Sequence, residues 1–153
     1  MKISSGVLVF LRIAVGTLFV FSGFSKLVAS QADFLAVVLG YQVVYGAAAV
    51  KVAVVLPWVE LMAGAFLAFG LWKRLALDVL WMLNTLFIGV IVSALVRGIA
   101  VQDCGCFGEG ALSFSLPQVL VMDLGLWCVL ALLAIKKQEV SRFSLDRLFA
   151  VHR

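Results

Sequence analysis

The chain has 153 residues, of which 65% are hydrophobic and only 13% are charged, and its mean hydropathy is +1.18. This composition lies far outside the range of soluble domains and excludes a soluble enzyme. The formal net charge of +4 comes from 12 basic and 8 acidic residues. We therefore expect an integral membrane protein that contacts the lipid bilayer and has no nucleic-acid partner.

Four long apolar stretches dominate the sequence, and each has the roughly 20 residues needed to cross about 30 Å of hydrocarbon as a helix. Lipid offers no hydrogen-bond partners to an open backbone, so each stretch has to be helical. The sequence predicts an all-α membrane protein, with one domain over residues 1–153 built as a four-transmembrane-helix bundle. The spans are expected at about residues 7–28, 52–72, 75–96 and 116–135.

Two further segments are too apolar for free aqueous loops. Residues 30–51 contain Tyr41, Tyr45 and many aliphatic residues. We expect them to form a short helix and a turn on the outer surface, either as a lid over the neighbouring loop or as an interfacial anchor. Residues 136–153 mix apolar and basic residues at helix-like spacing, which predicts a cytoplasmic amphipathic tail, an interfacial helix on the anionic inner leaflet.

The basic residues predict the orientation, because cytoplasmic loops are enriched in Lys and Arg. With the N-terminus inside, eight basic residues flank the spans on the inner side, against Lys26, Lys51 and Arg97 on the outer side. We expect both termini in the cytoplasm, a bacterial inner membrane location, and a periplasmic loop between the third and fourth spans. The eight inner residues are Lys2, Lys73, Arg74, Lys136, Lys137, Arg142, Arg147 and Arg153.

That loop contains two cysteines, Cys104 and Cys106, separated by a single glycine. Such a pair can close a disulfide or bind one soft metal ion such as Cu(I) or Hg(II), and both uses need thiolate chemistry. The periplasm is oxidising, so a disulfide can persist there. Arg97 would favour the thiolate form of a nearby cysteine and Asp103 would disfavour it, so the sign of their combined effect stays open.

The third cysteine, Cys128, falls about 12 residues into the fourth span, near the middle of the membrane. We expect it to be buried in apolar surroundings, with its thiol protonated and inert. The alternative is a relay thiol that the other cysteines reach only through movement.

Several polar residues lie at membrane depth, where their cost makes them candidates for function. Glu60 and Asp123 are expected at similar depth below the cysteine loop, within reach of Lys26. They either handle the protons of thiol chemistry or pair to fix helix contacts. Arg12 lies nearer the cytoplasmic side, where a structural role is expected, and Asn84 is expected to hydrogen-bond between helices.

Four blocks of this sequence, spread over most of its length, resemble the methylamine-utilisation MauE family within the wider DoxX-like group. The block around the cysteines is the specific one, and the other three support it. The blocks are Leu11-Arg12, Phe21-Ser22-Gly23-Phe24-Ser25-Lys26-Leu27, Leu56-Pro57-Trp58-Val59-Glu60-Leu61, and Arg97-Gly98 leading into Asp103-Cys104-Gly105-Cys106-Phe107-Gly108.

The resemblance implies a redox-associated membrane protein that exchanges disulfides with a periplasmic thioredoxin-like partner during maturation of secreted proteins. In the family's pattern Cys104 and Cys106 are the redox pair, while Arg12, Lys26 and Glu60 match polar positions whose roles are less settled. The physiological substrate and the direction of electron flow stay open. Quinone use is also open, because the chain resembles DsbB and vitamin K epoxide reductase in architecture alone and has no second reactive cysteine pair.

Two other classes of function compete with thiol-disulfide exchange. Closely spaced thiolates would suit binding or transport of a soft metal by Cys104 and Cys106, although the chain has no Met-rich or His-rich site. A non-catalytic membrane assembly factor is the third reading. Retention of function after replacement of both cysteines would favour that reading over the other two.

Overall fold

The computed structural model describes residues 5–99 and 115–136, and these residues form a helical bundle. Within them the helices are α1 (Ser5–Val28), α2 (Gln31–Gly40), α3 (Gly46–Phe69), α4 (Lys73–Val96) and α5 (Leu116–Ile135). All except α2 are long and apolar enough to cross a membrane. The predicted all-α fold with four transmembrane helices is confirmed for this part of the chain.

Two of the predicted features lie outside the residues that the structure describes. The loop that contains Asp103, Cys104 and Cys106 lies outside the described residues, as does the predicted amphipathic tail beyond Lys136. The described part of the chain therefore shows the helices that enter and leave the cysteine segment.

The second spanning helix, α3, begins at Gly46, earlier than the predicted start near residue 52. Residues 46–51 include three consecutive alanines, which favour helix strongly enough to extend it beyond the most apolar run. The helix ends at Phe69 because Gly70 adopts a left-handed conformation with φ of 74°. The tight turn that follows brings the chain directly into α4.

The short helix α2 confirms the helix and turn expected between the first two spans. Ser30 caps its N-terminus by accepting a hydrogen bond from the backbone N–H of Ala32 at 3.2 Å. Phe34 and Tyr41 are buried, so α2 lies against the bundle, mainly against α3. The helices α1 and α4 end, and α3 and α5 begin, at the same end of the bundle. We call this end the α2 end.

The closest helix packing is between the antiparallel helices α1 and α3. A Cβ atom added at Gly16 would lie 2.8 Å from the carbonyl oxygen of Gly64, and one at Gly23 would lie 2.7 Å from that of Pro57. No larger residue fits either position without a shift of backbone. Because Gly16 and Gly23 are seven residues apart, they share one face of α1, and this face allows the two backbones to touch.

The helices α4 and α5 form the second pair. The rings of Trp81 and Trp127 lie 5.6 Å apart, and the Trp127 indole N–H donates to the hydroxyl of Thr85 at 3.1 Å. The outer surface of the bundle is strongly apolar, as a lipid environment requires. Its exposed side chains include Phe10, Phe24, Trp58, Met82 and Val121.

Candidate functional site

A buried ion pair between Lys26 and Glu60 lies toward the α2 end. The Lys26 Nζ atom lies 2.6 Å from Glu60 Oε1 and 2.7 Å from Oε2, and also donates to the hydroxyl oxygen of Ser22 at 3.1 Å. The Ser22 hydroxyl in turn donates to Glu60 Oε2 at 3.2 Å. Glu60 is fully buried and Lys26 is 5% exposed. Both carboxylate oxygens and all three ammonium protons are thus accounted for.

The local sequence explains why these groups meet. Ser22 and Lys26 are four residues apart and therefore lie on the same face of α1. Gly23, between them in sequence, brings the α3 backbone close enough for Glu60 to reach both side chains. The sequence placed both Glu60 and Asp123 within reach of Lys26, and the structure brings Glu60 into direct contact with it.

Two aromatic rings enclose the Lys26 ammonium. Its nitrogen lies 5.6 Å from the ring centroid of Phe34 on α2 and 5.3 Å from that of Phe87 on α4. Distances within about 6 Å allow attraction between the charge and the ring faces. The charged group of α1 therefore contacts three other helices, α2, α3 and α4.

Asp123 lies on α5 at the edge of the same group, on a small cavity of about 60 Å³ that Lys26, Ser22 and Asn84 also line. Its Oδ2 atom is buried and has no hydrogen-bond partner among the described residues. The structure thus places Asp123 beside the ion pair, as the sequence predicted, but does not join it to the pair by a direct hydrogen bond in the described part of the chain.

Asn84 on α4 is able to hydrogen-bond between helices, but it makes no such bond among the described residues. The residue is 1% exposed, yet neither its Nδ2 nor its Oδ1 atom has a hydrogen-bond partner there. The reason is geometric, since the amide lines the small cavity and does not reach a polar group on a neighbouring helix. In the sequence, Asn84 stands out as a polar residue within an apolar span.

Arg97 connects the end of α4 to the turn after α2. Its guanidinium donates to the carbonyl oxygens of Tyr41 at 2.7 Å and Gln42 at 3.0 Å, and its Nε donates to that of Ser93 at 3.1 Å. Gln42 adopts a left-handed backbone conformation with φ of 52°, so this turn is strained. Arg97 therefore has a clear structural role in holding the turn, whatever its effect on the cysteines.

Arg12 and Cys128 lie away from this group. Arg12 is buried in α1, 14 residues before Lys26, which is about 21 Å along the helix. Cys128 was expected to be buried, but its side chain is exposed on the bundle surface, which corrects that prediction. Among the described residues α5 packs mainly against α4 and less extensively against α1, and Cys128 lies on a face that these two helices do not cover.

A second, larger cavity of about 350 Å³ lies between α2, α3 and α4, next to the Lys26 side chain. Its volume is in the range of small-molecule sites, and its walls are almost entirely apolar. The Lys26 protons point to Glu60 and Ser22, so the cavity offers contact to apolar groups and no free charged donor. Its lining residues include Phe34, Val37, Tyr41, Leu56, Phe87 and Val90.

The comparison with known protein families decides the assignment. A family model described as "Methylamine utilisation protein MauE" matches residues 4–136. The chain belongs to the MauE family. Among curated proteins and solved structures no match was found. Family membership and the four apolar helices together identify a multi-pass membrane protein of a family associated with methylamine utilisation.

Proposed function

We propose that this MauE-family protein is a membrane thiol-disulfide oxidoreductase whose redox pair is Cys104 and Cys106. The observation that supports it most is that the Cys104-Gly105-Cys106 motif falls within the 4–136 region that matches the family. The segment with this motif joins α4 to α5 at the α2 end of the bundle. The charge asymmetry of the sequence favours the periplasmic side for that end, where a thioredoxin-like partner would be accessible.

The exchange needs only the two thiols and a partner disulfide. A thiolate of the pair attacks one sulfur of the partner's disulfide, which forms a mixed disulfide and releases one partner thiolate. The second cysteine then attacks the mixed disulfide, so the pair becomes oxidised and the partner gains two thiols. Two electrons move to the partner in this direction, and the reverse sequence of steps oxidises the partner.

The described helices supply the frame for this chemistry. The Lys26–Glu60 pair joins α1 to α3, and Arg97 joins the end of α4 to the turn after α2. These contacts hold the helices together at the α2 end, where the cysteine segment connects α4 to α5. Glu60 is fully engaged with Lys26 and Ser22, so we assign it a positioning role rather than the proton transfer considered from the sequence.

Covalent trapping tests the proposal. Cys104→Ser and Cys106→Ser are purified separately from membranes without reductant, and the proteins linked to them are identified by mass spectrometry. A thioredoxin-fold protein attached to one variant through a reducible bond is the expected result. The Cys128→Ser variant is the matched control and should trap nothing. Stoichiometric copper on the wild-type pair, with no covalent partner, would favour metal binding instead.

The assembly-factor reading has its own test. The Cys104→Ser/Cys106→Ser double variant is expected to lose function in cells while remaining in the membrane at wild-type abundance. Full function of the double variant would overturn the oxidoreductase proposal.

A further inference from the structure

The small cavity between α1, α4 and α5 combines two features that point to a ligand. Asn84 lines this space and is almost fully buried, and neither of its amide atoms has a partner among the described residues. Asp123 on α5 is half-buried, and its Oδ2 atom is buried without a partner in the same part of the chain. Unsatisfied buried polar atoms are costly, and they usually have an ordered water or ion as partner. At about 60 Å³, the cavity has room for about two waters of roughly 30 Å³ each.

The charges around the cavity do not balance. The Lys26 ammonium neutralises the Glu60 carboxylate, and an ionised Asp123 would leave one net negative charge inside the bundle. Among the described residues, Lys26 on α1 and the uncharged amide of Asn84 on α4 line the cavity with Asp123, and Glu60 on α3 lies behind Lys26. Arg12 lies about 21 Å along α1 from Lys26 and does not compensate the charge. An unpaired charge inside a membrane bundle is expensive, so the charges of the described residues favour the uptake of one positive charge by the cluster.

We propose that this cavity is a hydrated proton-binding site in which Asp123 holds the proton and Asn84 orients the waters. A hydronium ion transfers its proton to Asp123 Oδ2 and leaves as water, which brings the cluster to zero net charge. A proton fits better than a metal cation, because Asp123 is the one carboxylate that lines the cavity, and the described residues hold no group of three side chains that could bind a metal ion. The argument for this site uses none of the cysteines, so the site stands independently of the thiol exchange proposed above.

Infrared spectroscopy of the full chain in lipid nanodiscs tests this proposal directly. At neutral pH the wild type should show the C=O stretch of a protonated carboxylic acid. Incorporation of [4-¹³C]aspartate should shift this band, which identifies an aspartate without any substitution. Asp123→Asn should remove the band, while Asp33→Asn, which changes a carboxylate on α2 that does not line the cavity, should keep it.

Asn84→Leu tests the water. This variant keeps the acid but replaces the amide with an apolar side chain of similar size. The acid band should move to the position of a weakly hydrogen-bonded group, and its exchange in D₂O should slow at least tenfold. A wild-type protein without an aspartic acid band at neutral pH would overturn the proposal. It would also be overturned by a band that disappears when sodium replaces choline in the buffer, because the bound cation would then be a metal ion.

Discussion

The Lys26 ammonium bridges both carboxylate oxygens of Glu60, at 2.6 Å and 2.7 Å, across the contact between α1 and α3. Gly23 lies within the same turn of α1 as Lys26, and its lack of a side chain allows this close approach. Both features therefore stabilise the contact between α1 and α3. The ion pair attracts the two helices, and the absence of a side chain at Gly23 allows their backbones to approach. This contact between α1 and α3 should therefore contribute strongly to the stability of the bundle.

Breaking the ion pair should destabilise the bundle strongly. Lys26→Met leaves the Glu60 carboxylate buried without its cation, and losing one partner of a buried pair costs about 3–5 kcal/mol. Thermal unfolding in detergent, followed by circular dichroism, measures the loss. Lys51→Met, which changes an exposed lysine on α3, is the control and should unfold like wild type. The double variant Lys26→Met/Glu60→Met should recover most of the stability, and equal loss in the single and double variants would argue against the pairing.

The glycine contact can be tested with a single methyl group. In Gly64→Ala the new Cβ would lie 2.8 Å from the Gly16 carbonyl oxygen and from the Val20 nitrogen. We expect the helices to move apart at a cost of about 1–3 kcal/mol. Gly125→Ala on α5 is the matched control, because no residue of another described helix would lie within 4 Å of the added Cβ atom. If Gly64→Ala unfolds at the same temperature as wild type and Gly125→Ala, then α1 and α3 are not in backbone contact.

Arg97 should protect the turn between α2 and α3. Removing its hydrogen bonds to the Tyr41 and Gln42 carbonyls in Arg97→Gln should cost about 1.5–3 kcal/mol locally. Amide hydrogen exchange of residues 38–46, measured by mass spectrometry, should rise about tenfold or more. Arg74→Gln, at the opposite end of α4, should leave this exchange unchanged. Equal exchange in both variants would mean that the turn does not depend on Arg97.

Cysteine labelling tests the proposed orientation. A membrane-impermeant maleimide added to intact spheroplasts should label Cys104 and Cys106 after mild reduction, and labelling that requires lysis would reverse the topology. Cys128 should escape this reagent, since it lies about 12 residues into α5. Because its side chain is exposed on the bundle surface, a lipid-soluble maleimide should label it in the Cys104→Ser/Cys106→Ser background.

The sequence was sufficient for the fold because helices in lipid are dictated by the length of apolar runs. It also indicated the Lys26–Glu60 pair, since two opposite charges at similar depth have a strong reason to meet. The α1–α3 glycine contact was harder to predict, because the seven-residue spacing of Gly16 and Gly23 shows a shared face but does not identify the helix opposite.

Other features depend on how each helix is rotated about its own axis. A span that is apolar on all sides does not indicate which face turns toward the bundle. The sequence predicted the position of Cys128 along α5 but could not show that its side chain faces outward. In the same way, the depth of Asn84 was readable, whereas the absence of a partner for its amide among the described residues required the packed helices. The anchoring of the turn by Arg97 joins residues 55 and 56 positions apart, which no local pattern predicts.

The central claim is that Cys104 and Cys106 form a reversible disulfide. A disulfide between cysteines one residue apart would close a small, strained ring, so we expect it to be more easily reduced than a structural disulfide, with a potential above roughly −300 mV. The direct measurement is equilibration of the purified protein in glutathione and dithiothreitol buffers, followed by alkylation and mass spectrometry. We predict a single two-electron transition that disappears in Cys104→Ser. A pair that stays reduced in every oxidising buffer and binds one soft metal ion tightly would contradict the assignment.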